Sequence, residues 1–151
     1  MMASLFAFLH FLAAFTLFAA LAAEIVLTRG APDLTTARRL LHVDAVFGIA
    51  ATLVLVAGVL RVLYFERGPA YYVHSAPFIA KMLLFALVGL LSIYPTRRFL
   101  SWRPALARGV APVADAACMR RIRRVIHVEA TLVVLLILCA SLMAHGVGML
   151  R

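Results

Sequence analysis

The sequence predicts an all-α integral membrane protein, a four-helix bundle with the N-terminus and C-terminus both outside, on the periplasmic side. Three observations lead there. Of 151 residues, 66% are hydrophobic and only 14% charged, where a soluble domain averages roughly half and about a quarter. The apolar residues gather into four runs close to the ~20 residues that cross a bilayer. The basic residues concentrate in the two connections that lie on one side of such a bundle. So large an apolar excess exceeds one globular core, and the whole chain reads as a single membrane domain.

The first span is expected over 5–27. Ala19-Ala20-Leu21-Ala22-Ala23 has the small side chains of a signal-peptide cleavage site. However, the start carries no Lys or Arg, the run is longer than a signal's apolar region, and Arg29, Arg38 and Arg39 follow it. It therefore reads as a retained helix. The second span is expected over 40–63, with Asp33, Thr35 and Thr36 as candidates to cap its start and Gly68-Pro69 to end it. The outer connection that follows carries Tyr71 and Tyr72, residues suited to a membrane interface. The third span is expected over 77–94, with Pro95 as its terminator. The connection 96–124 contains Trp102, Pro104, Gly109 and Pro112 and turns helical from about Asp115. It runs straight into the fourth span, 125–147.

Orientation follows from the distribution of arginine. The connections after the first and third spans hold Arg29, Arg38, Arg39, Arg97, Arg98, Arg103, Arg108, Arg120, Arg121, Arg123 and Arg124, while the opposite side has Arg61, Arg67 and Arg151. Basic connections stay in the cytoplasm, which places the chain in the bacterial cytoplasmic (inner) membrane as a multi-pass protein. The net charge of +9 is thus explained by topology and anionic lipid, and nucleic acid is not an expected partner. Cys118 and Cys139 show no CxxC or Cys/His spacing, so neither a disulfide nor a zinc site is expected.

Ionisable residues inside spans are costly and point to function. They fall into two layers. His10, Arg61, His74, Lys81 and His145 belong toward the outer surface, and Glu24, His42, Asp44, His127 and Glu129 toward the cytoplasm. At about 100° per residue, His10 and Glu24 share a face of the first helix, and His74 shares one with Lys81 if the third helix starts early enough. His127, Thr131, Leu138, Ser141 and His145 line up on the fourth. Asp44, Gly48, Ala51 and Gly58 form a small-residue stripe on the second, suited to close approach. A b-type haem between helices needs axial donors at matching depth and small residues to admit the ring. His10 with Lys81 or His145 fits an outer site with His10 on the haem iron, and His42 with His127 an inner one. Asp44, Glu24 and Glu129 are also expected to pair with Arg38, Arg39, His42 or His127.

Short motifs add a resemblance. Phe8-Leu9-His10-Phe11-Leu12, then Phe78-Ile79-Ala80-Lys81-Met82-Leu83-Leu84, then His127-Val128-Glu129-Ala130 behind a run of arginines resemble the HemJ-type protoporphyrinogen oxidases and the wider CopD-like group. Ala70-Tyr71-Tyr72-Val73-His74 and Leu91-Ser92-Ile93-Tyr94-Pro95-Thr96 look more like an uncharacterised bacterial branch of predicted membrane proteins related to that group. The resemblance implies bound haem b, with His10 and Lys81 as the residues tied to it and Glu129 at the place of a fourth-span glutamate. The reading that follows is a HemJ-like membrane oxidoreductase acting on a lipid-soluble porphyrin or quinol, with Glu24 and Glu129 moving protons. CopD-like copper handling is less expected, because Met82, Met119 and Met143 are scattered along the chain. The alternative is a non-catalytic accessory or assembly subunit of a larger membrane complex. A transporter that pairs as a homodimer stands behind both.

Overall fold

The computed structural model describes residues 1–65, 72 and 74–145. Its helices are α1 (Met2–Leu27), α2 (Leu34–Leu60), α3 (Ala76–Ser101), α4 (Arg103–Ala107) and α5 (Ala116–Ala144). α2 continues into one π-helical turn, Arg61–Phe65. Among the described residues, four helical segments are long and apolar enough to cross a membrane. α1 packs along α2 and α3 along α5, and the two pairs close against each other.

Local chemistry sets the helix ends. Asp33 starts α2: its side chain accepts the Thr36 N–H at 2.6 Å, satisfying one donor that the first turn leaves open. The Thr36 N–H also holds the exposed Asp33 carboxyl below its usual range. With that cap in place α2 begins at Leu34, earlier than the apolar run alone suggests. The Gly68-Pro69 break and Tyr71 lie outside the described residues. At the other end of α1, Arg123 of α5 supplies the missing donors. Its guanidinium donates to the Thr28 carbonyl at 2.6 and 3.1 Å and to the Arg29 carbonyl at 2.8 Å. Thr28 itself donates its hydroxyl to the Glu24 carbonyl at 2.7 Å.

Pro95 does not end the third helix. α3 runs through it to Ser101, so the expected terminator is a buried interior residue. Proline removes one backbone donor, a loss that membrane helices tolerate when neighbours make it good. The residues beyond it hold the helix in place. Phe99 is fully buried, Trp102 nearly so, and their rings meet at 5.2 Å. α4 is tied back to α2 by Arg38, which donates to the Leu106 carbonyl at 3.4 Å. The 96–124 connection is therefore mostly helix, and Asp115 immediately precedes α5.

The core is lopsided. Its least accessible apolar side chains, Leu21, Leu40, Phe99, Ile122 and Ile126, all lie in the half nearest the arginine-rich connections. Toward the opposite end the four helices line a cavity. Most large apolar side chains elsewhere point outward, among them Phe8, Phe15, Ile49, Leu83 and Val134. That is the surface a lipid-facing bundle presents, and water would penalise it heavily.

Candidate functional site

Two polar layers stand about 21 Å apart, the length of fourteen helical residues between His10 and Glu24. The outer layer surrounds a cavity of about 890 Å³ between the helix ends. α1 contributes His10 to its wall, the end of α2 Gly58 and Arg61, the start of α3 Lys81, and the end of α5 Ser141 and His145. The rest of the lining is mainly aliphatic and aromatic. No Asp or Glu among the described residues lines it. Its volume falls within the roughly 300–1,000 Å³ typical of ligand pockets.

His10 is the most constrained of these groups. Its Nδ1–H donates to the Val54 carbonyl at 3.0 Å, which fixes the lone pair on Nε2. Its ring also lies against Gly58, where an added Cβ would sit 3.2 Å from Cε1. A backbone carbonyl on one ring nitrogen is how proteins orient a metal-binding imidazole. Arg61 lies over the Phe11 ring at 5.8 Å. Tyr72 is buried against Phe78, ring centroids 5.0 Å apart, and lines the cavity. α3 begins at Ala76, so His74 is exposed ahead of the helix and shares no helical face with Lys81.

His42, His127 and His145 are all exposed, and each bonds the carbonyl four residues back on its own helix, at 2.8, 2.7 and 2.8 Å. What separates them is place: His145 lines the cavity, and His42 and His127 do not. The stripe through His127, Thr131 and Leu138 faces outward, and α5 instead buries Ile126, Glu129 and Val133. The expected small-residue stripe on α2 holds at Asp44, Ala51 and Gly58 and fails at Gly48. Gly48 is exposed with nothing within 4 Å of an added Cβ. The close approach is made by the buried Ala50 and Ala57 and by Gly58.

The inner layer is a set of carboxylates. Glu24 of α1, Asp44 of α2 and Glu129 of α5 are 2%, 6% and 1% exposed, close enough to interact electrostatically. Thr96 of α3 donates its hydroxyl to Asp44 Oδ1 at 2.7 Å. Three of the partners expected for these carboxylates are engaged elsewhere. Arg38 reaches Leu106, and both inner histidines turn to their own helices. Thr96 went unnoticed in the sequence because the spacing from Pro95 put it in a loop.

Among the described residues no three His, Cys, Asp or Glu side chains are placed to hold a metal ion directly. Both cysteines are free and half-buried. The cavity does collect Met82 and Met143, far apart in sequence, beside His10 and His145. A family model described as a predicted membrane protein (DUF2214) matches residues 2–148. No curated protein and no solved structure matches the chain.

Proposed function

The chain belongs to the DUF2214 family of predicted membrane proteins, and we propose that it holds b-type haem in the outer cavity for redox chemistry on a porphyrin or quinol. One observation carries this reading. Three helices deliver His10, Lys81 and His145 to the wall of a single, largely apolar cavity. The residues present suit the group. His10 is fixed in the tautomer that would ligate iron, and Lys81 or His145 would supply a second donor. Arg61 suits a propionate. A macrocycle brings four of its own ligands, so the lack of a three-residue cluster among the described residues does not weigh against it. Bound there, haem would supply one-electron chemistry; the apolar walls would admit a lipid-soluble substrate from the bilayer. The HemJ-like motifs around His10 and Lys81 support the same assignment. The exposed His42 and His127 are not part of it.

The decisive experiment is the visible spectrum of detergent-purified protein, expressed with haem supplied, before and after dithionite. The expected result is a Soret band with α and β bands on reduction, both lost in a His10→Ala variant that still folds. A second reading has its own observation: the gathering of Met82 and Met143 beside two histidines is a donor set for cuprous copper. Metal analysis separates the two, since iron at one equivalent supports haem and copper replaces it. A colourless, metal-free protein that co-purifies with other membrane subunits would leave the accessory-subunit reading.

A further inference from the structure

Burying a carboxylate in a helix bundle is expensive unless its charge is compensated. Here three are buried where four helices meet. The compensation usually found is missing. Glu24 Oε1 and Glu129 Oε1 are fully enclosed and have no hydrogen-bond partner among the described residues, although both side chains are at least 98% buried. Asp44 accepts the Thr96 hydroxyl.

The surrounding groups do not supply the missing charge. On α1 the titratable group facing the chamber is Glu24, and on α2 it is Asp44. His42, just before Asp44, turns outward to the Arg38 carbonyl. α3 offers Thr96, and its Arg98 lies over the Tyr94 ring at 5.5 Å. On α5, His127 turns to the Arg123 carbonyl, and the Arg123 guanidinium is committed to Thr28 and Arg29. Among the described residues no three acidic or histidine side chains converge as ligands for a metal ion. What suits three spaced acids with two open oxygens is a proton.

We propose that this chamber is a proton-binding site. Glu24 and Glu129 carry at least one exchangeable proton between them, and Asp44, held as an acceptor by Thr96, is the charged member. Loading adds a proton to a glutamate oxygen; unloading returns it toward the arginine-rich end, where Thr28 and Arg123 close the exit. The site needs nothing from the outer cavity. It gives the protein a means of coupling protons to whatever happens some 21 Å away along the helices.

Infrared spectroscopy of the full chain in zwitterionic lipid vesicles tests this without any cofactor. The chain has six carboxylate side chains, so assignment is tractable. The expected result is a carbonyl stretch of neutral carboxylic acid at neutral pH that shifts in D₂O and disappears on titration with base. Glu24→Gln and Glu129→Gln should each diminish the band, and the double variant should lose it. Absence of the band in folded wild-type protein overturns the proposal. So does a band that both variants leave untouched, or one abolished by sodium at fixed pH, which would make the site a metal-cation site. If the Gln variants do not fold, Glu24→Asp and Glu129→Asp decide the matter: each keeps a carboxyl group and should shift the band, and a band that neither moves overturns the proposal.

Discussion

At the scale of single residues, the outer cavity depends on glycine at position 58. An added Cβ would stand 3.2 Å from His10 Cε1 and 3.5 Å from Nδ1. Valine there cannot be accommodated without moving the imidazole and disturbing its bond to Val54. Gly58→Val should therefore lower haem occupancy of purified protein at least as much as it lowers thermal stability. Gly48→Val, with open space around the same construction, should leave occupancy unchanged. Equal occupancy in both variants would mean that the His10 position does not matter for binding. The sequence placed Gly48 and Gly58 in one stripe and had no means of separating them. Helical periodicity tells which residues share a face, but which glycine meets a ring is set by the partner helix. The same limit hid Thr96, whose role exists only because Asp44 of another helix faces it.

At the scale of elements, helix ends show what is local and what is not. The Asp33 cap was legible because it is a contact between residues three apart. Its contribution is also pH-dependent. The folded-state carboxyl is held below its ordinary value, so the stability it lends is full above the usual Asp range, about 4, and is lost as pH falls through the lowered value. The difference in melting temperature between wild type and Asp33→Ala should thus narrow on acidification. A constant gap would show that the cap does not act through its charge. The C-terminal cap of α1 was illegible, since Arg123 reaches it from 95 residues away in the sequence. Read alone, that arginine is one more topology signal. Arg123→Met should leave the Thr28 and Arg29 carbonyls without these donors and destabilise the fold by about 1–3 kcal/mol. Arg124→Met, at an exposed position, should cost far less. Comparable losses in the two, measured by denaturant unfolding in detergent, would reduce Arg123 to a lipid-facing charge. Pro95 carries the same lesson in reverse. Its local rule predicted a stop, and the burial of Phe99 and Trp102 beyond it prevailed.

At the scale of the whole molecule, the four spans were legible because hydrophobic length is a property of the chain alone, and the two polar layers because depth along a helix follows from residue count. Their shapes were not, since the cavity at one end and the buried core at the other arise from side-chain fit among four helices. What this asymmetry does depends on which way the protein sits in the membrane. The arginine-rich end carries the carboxylate chamber, and the opposite end the His10 cavity. By the distribution of basic residues the chamber should open toward the cytoplasm and the cavity lie nearer the outer surface. Single cysteines in a Cys118→Ala, Cys139→Ala background test this. Ala3 and Ser101 are both exposed and lie at opposite ends. In intact bacterial cells a membrane-impermeant maleimide should label Ala3→Cys and spare Ser101→Cys until the cells are broken. The reverse pattern would put the cavity on the cytoplasmic side and make the chamber a site loaded from outside. Labelling of both in intact cells would mean mixed insertion, and the arginine bias would then be too weak to set a direction. With the expected pattern, any proton held by Glu24 and Glu129 is exchanged with the cytoplasm, and chemistry at His10 takes place toward the outer leaflet.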